Sequence, residues 1–203
     1  MRMFTKFQSL VCLLLLAAGC TSDLNRYNPL DEFEQLDPTT IFAMPEPAST
    51  ASYSPEQLRR GSYMVGLLGC GSCHTDGALT GNVNQNRLLA GSSVGIAYSS
   101  PFVDEYPGVV YPPNLTPDME TGLGSWTMER LVQMIRVGTV DHSARSLPVM
   151  PWPAFVNITE EDAFAIAAYL KSLPPVRHQV PRNVPRGQRA SEAFVHFGVY
   201  QQR

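Results

Sequence analysis

Cysteine is scarce in this chain of 203 residues, and its scarcity excludes more than any abundance does. There are four, Cys12, Cys20, Cys70 and Cys73, and the first two fall within or at the end of an N-terminal apolar stretch. A zinc site needs about four ligands, usually with a second Cys or His pair at similar spacing, and the body of the chain holds only one pair. Charge is thin and nearly balanced: 15 Lys and Arg against 18 Asp and Glu give a net −3, without the broad basic face that nucleic acid requires. The run from Leu10 to Ala18 is too short to span a bilayer, which takes about 20 apolar residues as a helix. No internal repeat is visible. Apolar residues at 44% nevertheless allow a real core, enough for one domain with extensions.

What the chain does have is Cys70-Gly71-Ser72-Cys73-His74. Two cysteines separated by two residues and followed directly by histidine form the attachment signature of c-type haem. The spacing lets two thiols add across the vinyl groups on one porphyrin edge. The adjacent imidazole then lies beneath the iron as its proximal ligand. Chance placement of the cysteines and histidines gives about 0.002 copies of this pentapeptide, so it is a signal. A thioredoxin-like CxxC calls for a βαβ context, whereas the surroundings here read as helical or proline-rich.

The remainder divides by composition. Residues 1–19 carry Arg2 and Lys6 ahead of the apolar run and read as an export signal. Ala17-Ala18-Gly19-Cys20 resembles a bacterial lipobox, which makes Cys20 a lipidated N-terminus; an ordinary small-residue cleavage site is the alternative. Residues 20–53 are acidic (net −5) and proline-punctuated, and read as a tether. The alternative is an ordered arm in which Tyr27, Leu30, Phe33 and Phe42 pack. The domain begins at Ser54, where Ser54-Pro55-Glu56-Gln57 is a capping box opening a helix to about Leu68. Gly61 and Gly66 weaken that helix unless another packs closely. From Thr75 to Gly124 no period shows, a length of loop that makes sense when wrapped around a large ligand. A helix capped by Thr127 follows, stopped at Gly138; a third, capped by Thr159, runs to Pro174-Pro175. Between them lies Leu147-Pro148-Val149-Met150-Pro151-Trp152. Residues 176–203 are basic (net +4) and read as a tail that steers partners more than it supports folding, a solvated tail or one lying on the acidic tether being the alternative.

Helix, CxxCH, loop, helix, methionine loop, helix resembles the class I cytochrome c fold, all-α with long loops around one covalent haem. Tyr111-Pro112-Pro113-Asn114-Leu115-Thr116-Pro117-Asp118, Gly122 to Thr127, Met150-Pro151-Trp152-Pro153-Ala154-Phe155 and Ala168-Tyr169-Leu170-Lys171-Ser172-Leu173-Pro174 resemble segments of the cytochrome subunits of bacterial membrane-bound alcohol and gluconate dehydrogenases. The resemblance covers residues 54–175. It implies haem c held by Cys70, Cys73 and His74, with Met150 as sixth ligand. Those subunits usually carry three haems, and this chain has one CxxCH.

Loop context also favours Met150, which proline stiffens on both sides; His142, His178 and His196 are the competing ligands. Trp126 and Arg136 are candidates to donate to the haem propionates, with a core role for Trp126 and a solvated one for Arg136 as alternatives. A six-coordinate iron suits outer-sphere electron transfer. The expected function is therefore that of an electron carrier, not an enzyme: lipid-anchored at the periplasmic side of a bacterial membrane, or soluble there, relaying electrons between a dehydrogenase or respiratory complex and an acceptor. A haem-based sensor or peroxidase-like enzyme with an open sixth position is the alternative, and a fixed component of a respiratory complex is a third reading.

Overall fold

A computed structural model describes residues 43–48, 52–138, 149–198 and 201. The export signal, Cys20, Tyr27, Leu30, Phe33, Phe42 and His142 lie outside the described residues. Among the described residues five α-helices follow in chain order: α1 (Pro55–Leu67), α2 (Cys70–His74), α3 (Met128–Val137), α4 (Trp152–Phe155) and α5 (Glu160–Ser172). The ends of α1, α3 and α5 are where the sequence puts them, whereas α4 falls in the stretch read as the methionine loop. Ser54 accepts from the Gln57 amide while the Gln57 side chain accepts from the Ser54 amide, a complete capping box. Thr127 caps α3 on the Arg130 amide and Thr159 caps α5 on the Asp162 amide. Glu160, Glu161 and Asp162 sit in the first turn of α5, where the helix dipole favours negative charge.

The core forms where α1 and α5 cross. A Cβ placed on Gly61 would lie 2.1 Å from the Ala165 carbonyl oxygen and 2.6 Å from the Tyr169 Cβ, so the backbones meet with only hydrogen between them. Val65, Ala163, Ala167 and Tyr169 are fully buried around this contact, joined by Leu131 of α3. At the end of the crossing, Arg60 of α1 donates to Asp162 of α5 over 2.7 Å. Residues 43–48 belong to the same core: the Tyr169 hydroxyl donates to the Pro45 carbonyl, the Ala48 amide donates to Ser172 at 2.8 Å, and Met44 packs against the cluster. This part of the stretch read as a tether is an ordered arm.

The long segment between α2 and α3 is not wholly irregular, and the fold is not purely helical. Two short strands, β1 (Gly95–Ala97) and β2 (Val109–Val110), pair antiparallel, and a third, β3 (Phe194–His196), joins β1 in parallel, giving the order β2-β1-β3. The basic C-terminal segment is therefore built into the domain, contrary to its reading as a tail. Val184 exchanges both backbone hydrogen bonds with Val109 at 2.8 Å, Asn183 accepts from the Tyr111 amide, and the Gly95 amide donates to Ala193. A parallel partner a hundred residues away leaves no local signature, and strands of two or three residues are too short to show alternation. Among the described residues no helix is long and apolar enough to cross a membrane.

Candidate functional site

Gly69 adopts φ 66°, a left-handed conformation that glycine takes without a Cβ penalty, and so turns the chain from α1 into α2 within two residues. In the helix that follows, Cys70, Cys73 and His74 stand at i, i+3 and i+4, which places the three side chains on one face. Gly71 is buried, in keeping with the need for a small residue in a tight turn. Both thiols are half-buried. Burial pushes the Cys70 thiol up to about 11 and raises that of Cys73. The pair is thus unlike a redox CxxC, whose thiolate is favoured by its surroundings.

His74 is 5% exposed. Its Nδ1 lies 2.8 Å from the Pro113 carbonyl, which can only accept, so Nδ1 carries the proton and Nε2 keeps its lone pair for a metal. Burial lowers the pKa of the imidazole, and the Pro113 hydrogen bond partly offsets this. A neutral, oriented imidazole is the form that binds iron. Nothing in the sequence named this acceptor, because it is a backbone carbonyl 39 residues away. The Pro112-Pro113 pair was visible as part of a resembling segment, but not what its carbonyl does.

The loop over His74 is tightly held. The Gly91 amide donates to the His74 carbonyl at 2.9 Å, and Thr75 bridges to Gly91 in parallel. Leu89, fully buried, has φ 58°, a strained conformation for a bulky residue, costing about 1–2 kcal/mol. Its amide donates to the Thr75 hydroxyl at 3.1 Å and its carbonyl accepts from Leu115 at 2.8 Å.

Met150 is half-buried, and both it and Cys70 pack against the main core cluster. Its carbonyl accepts from the Trp152 amide, and the Trp152 ring meets Phe155 edge-on at 5.9 Å. Other methionines are occupied elsewhere: Met64 is buried in α1, Met44 lies near Gly66, the Met128 sulfur accepts from the Tyr53 hydroxyl, and Met119 is exposed. His178 has both ring nitrogens engaged, Nδ1 on the Ala90 carbonyl at 2.8 Å and Nε2 near Arg87 at 3.2 Å, which leaves no lone pair for iron. His196 lies in β3, with its ring edge-on to Phe102.

The two candidate propionate donors have partners within the protein. The guanidinium of Arg130 stacks 3.8 Å above the Trp126 ring, and Trp126 packs on the core. Arg136 donates through Nε to the Ile158 carbonyl at 3.0 Å, tying α3 to the start of α5. A residue the sequence reading passed over, Lys171, donates to the carbonyls of Leu123, Gly124 and Trp126 and so anchors the entry to α3.

Residues 58–174, more than half of the chain, match the family model Cytochrome c. The chain belongs to the cytochrome c family. Membership implies a covalently bound haem c and an electron-transfer role rather than a catalytic one, and the donor set of α2 fits that group. Relatives include one of the subunits of nicotinate dehydrogenase from Pseudomonas putida, 33% identical over 76% of this chain and 12% of its own length. The cytochrome subunit of fructose dehydrogenase from Gluconobacter japonicus is 31% identical over 71% of this chain and 27% of its own length. The cytochrome c subunit of a quinone alcohol dehydrogenase from Gluconobacter oxydans is 33% identical over 60% and 23%. The chain thus spans between about an eighth and about a quarter of these relatives.

Proposed function

We propose that this cytochrome c relays single electrons at the periplasmic side of a bacterial membrane, held there by lipidated Cys20, between a dehydrogenase or respiratory complex and an acceptor. One haem is held by thioethers to Cys70 and Cys73, with His74 and Met150 as its axial ligands. The observation that carries the reading is His74: buried, in register with both cysteines, and oriented by the Pro113 carbonyl so that Nε2 is the free donor. The haem, once bound, supplies the one-electron couple. The protein's part is to hold the proximal imidazole in one tautomer, to offer a thioether that favours the ferrous state, and to keep the iron six-coordinate. The names of the relatives support a dehydrogenase as partner, and the substrate would lie with that partner. The anchor is supported by the Ala17-Ala18-Gly19-Cys20 junction.

The test is spectroscopic. Purified from cells able to attach haem c, the protein should retain one haem through denaturing electrophoresis. Its reduced spectrum should barely respond to carbon monoxide. A large carbon monoxide shift would mean an open sixth position and would sink the carrier reading.

A further inference from the structure

The contacts that fix His74 from its protein side converge on one stretch of chain beyond the last residue of the family match at 174. Gly91, which donates to the His74 carbonyl, is walled in: a Cβ there would lie 2.5 Å from Val180 Cγ1 and 2.9 Å from both the Asn114 amide nitrogen and the Pro112 carbonyl oxygen. Asn114 follows Pro113 directly and is 1% exposed. Its side chain is saturated. Nδ2 donates to the Val176 carbonyl at 2.8 Å and to Thr121 at 3.0 Å, while Oδ1 accepts from the Thr116 amide at 2.9 Å and hydroxyl at 2.8 Å. His178, buried, grips the Ala90 carbonyl next to Gly91. Val176, His178 and Val180 alternate with exposed Arg177 and Gln179, so an extended segment turns one face inward along its length.

We infer that residues 176–180 are a positioning brace for the proximal ligand, acting through Asn114 on the Pro113 carbonyl and through His178 on the Ala90–Gly91 turn, and so help set the haem potential. A carbonyl held firmly on Nδ1–H makes the imidazole a stronger donor, which stabilises ferric iron. Loosening the brace weakens that bond and shifts the couple toward the ferrous form. The inference rests on His74 being the proximal ligand.

The experiment uses the full-length holoprotein with Asn114→Ala and His178→Ala, read by redox titration and by proton exchange at His74 Nδ1–H in nuclear magnetic resonance. Each variant should raise the ferrous-to-ferric ratio at fixed ambient potential about threefold, equivalent to about 28 mV at 59 mV per tenfold for one electron, and should speed the exchange. Tyr169→Phe removes a hydroxyl from the Pro45 carbonyl, a bond that involves none of the brace residues, and should change neither. Wild-type potential and exchange in both brace variants would overturn the inference, as would an equal shift in Tyr169→Phe. If Asn114→Ala fails to load haem, Thr116→Val, which removes one donor to Asn114, decides by the same readouts. Failure of the ligand reading looks different: the wild-type Nδ1–H resonance would show no shift from the haem.

Discussion

Gly61 and Gly66 lie five residues apart in α1, and the same substitution at each should have opposite effects. Alanine is favoured over glycine inside a helix by about 1 kcal/mol, so both variants start with that gain. At Gly66 the new methyl meets only the Met44 side chain at 3.6 Å, an ordinary contact, and the gain should survive. At Gly61 it would stand 2.1 Å from a backbone oxygen and 2.6 Å from the Tyr169 Cβ, more than 1 Å inside normal contact. Neither obstacle is the end of a flexible side chain, so α1 and α5 must separate. Overpacking costs about 1–3 kcal/mol, and a backbone obstacle puts this site at the upper end. Subtracting the helix gain leaves Gly61→Ala destabilised by about 2 kcal/mol, and the two variants should differ by about 3 kcal/mol. In a domain of this size that difference is on the order of 10 °C in melting temperature. Guanidinium unfolding followed by far-UV circular dichroism measures it, and covalent haem keeps the cofactor from dissociating during the scan. A neutral or stabilising Gly61→Ala would refute the close crossing.

Met150→Ala should abolish the weak sulfur-to-iron band of the oxidised protein, lower the potential and admit carbon monoxide; if His142→Ala does this instead, the ligand is misassigned. Cys20→Ser should move the protein from membranes to the soluble fraction, and a mature N-terminus with free, unacylated Cys20 would refute the anchor. A chain ending at Val176 should lose at least about 5 kcal/mol, taking about 1 kcal/mol for each of five bonds it removes: two between Val109 and Val184, and one each from Tyr111 to Asn183, from Gly95 to Ala193 and from the His178 ring to Ala90; unchanged denaturant midpoints would return this segment to the status of a tail. Arg60 holds the Asp162 carboxyl below its usual value, so its contribution is present above the unfolded pKa of about 3.9 and fades as pH falls through the folded one. Asp162→Asn should accordingly flatten the loss of melting temperature below about pH 4, and an unchanged acid slope would count against the pair.

What was legible in the sequence was local. Ser54, Thr127 and Thr159 announce their helices because a cap is a matter of four neighbouring residues, and CxxCH is a matter of five. Gly61 invited a close helix, and α5 supplied it through Ala165. What was missed is non-local or carried by backbone. The Pro113 carbonyl has no side chain to read. His178 looked like a possible metal ligand because composition shows an imidazole but not the two partners that occupy it. The prolines and arginines of 176–198 resembled a solvated tail, since the alternation of Val176, His178 and Val180 lasts only five residues before Pro181 and Pro185 break it.

The parallel pairing of β1 with β3 also sets a clock. A chain is made from its N-terminus, so Gly95–Ala97 is complete about a hundred residues before Phe194–His196 exists to pair with it. His178 and Val184, which close the turn over Gly91 and the strand at Val109, also arrive late. The turn packed against His74 therefore closes only when this late stretch docks. For a chain exported before it folds, the thiols of Cys70 and Cys73 stay reachable while residues 176–196 are undocked, and the docking of those residues closes the turn behind His74.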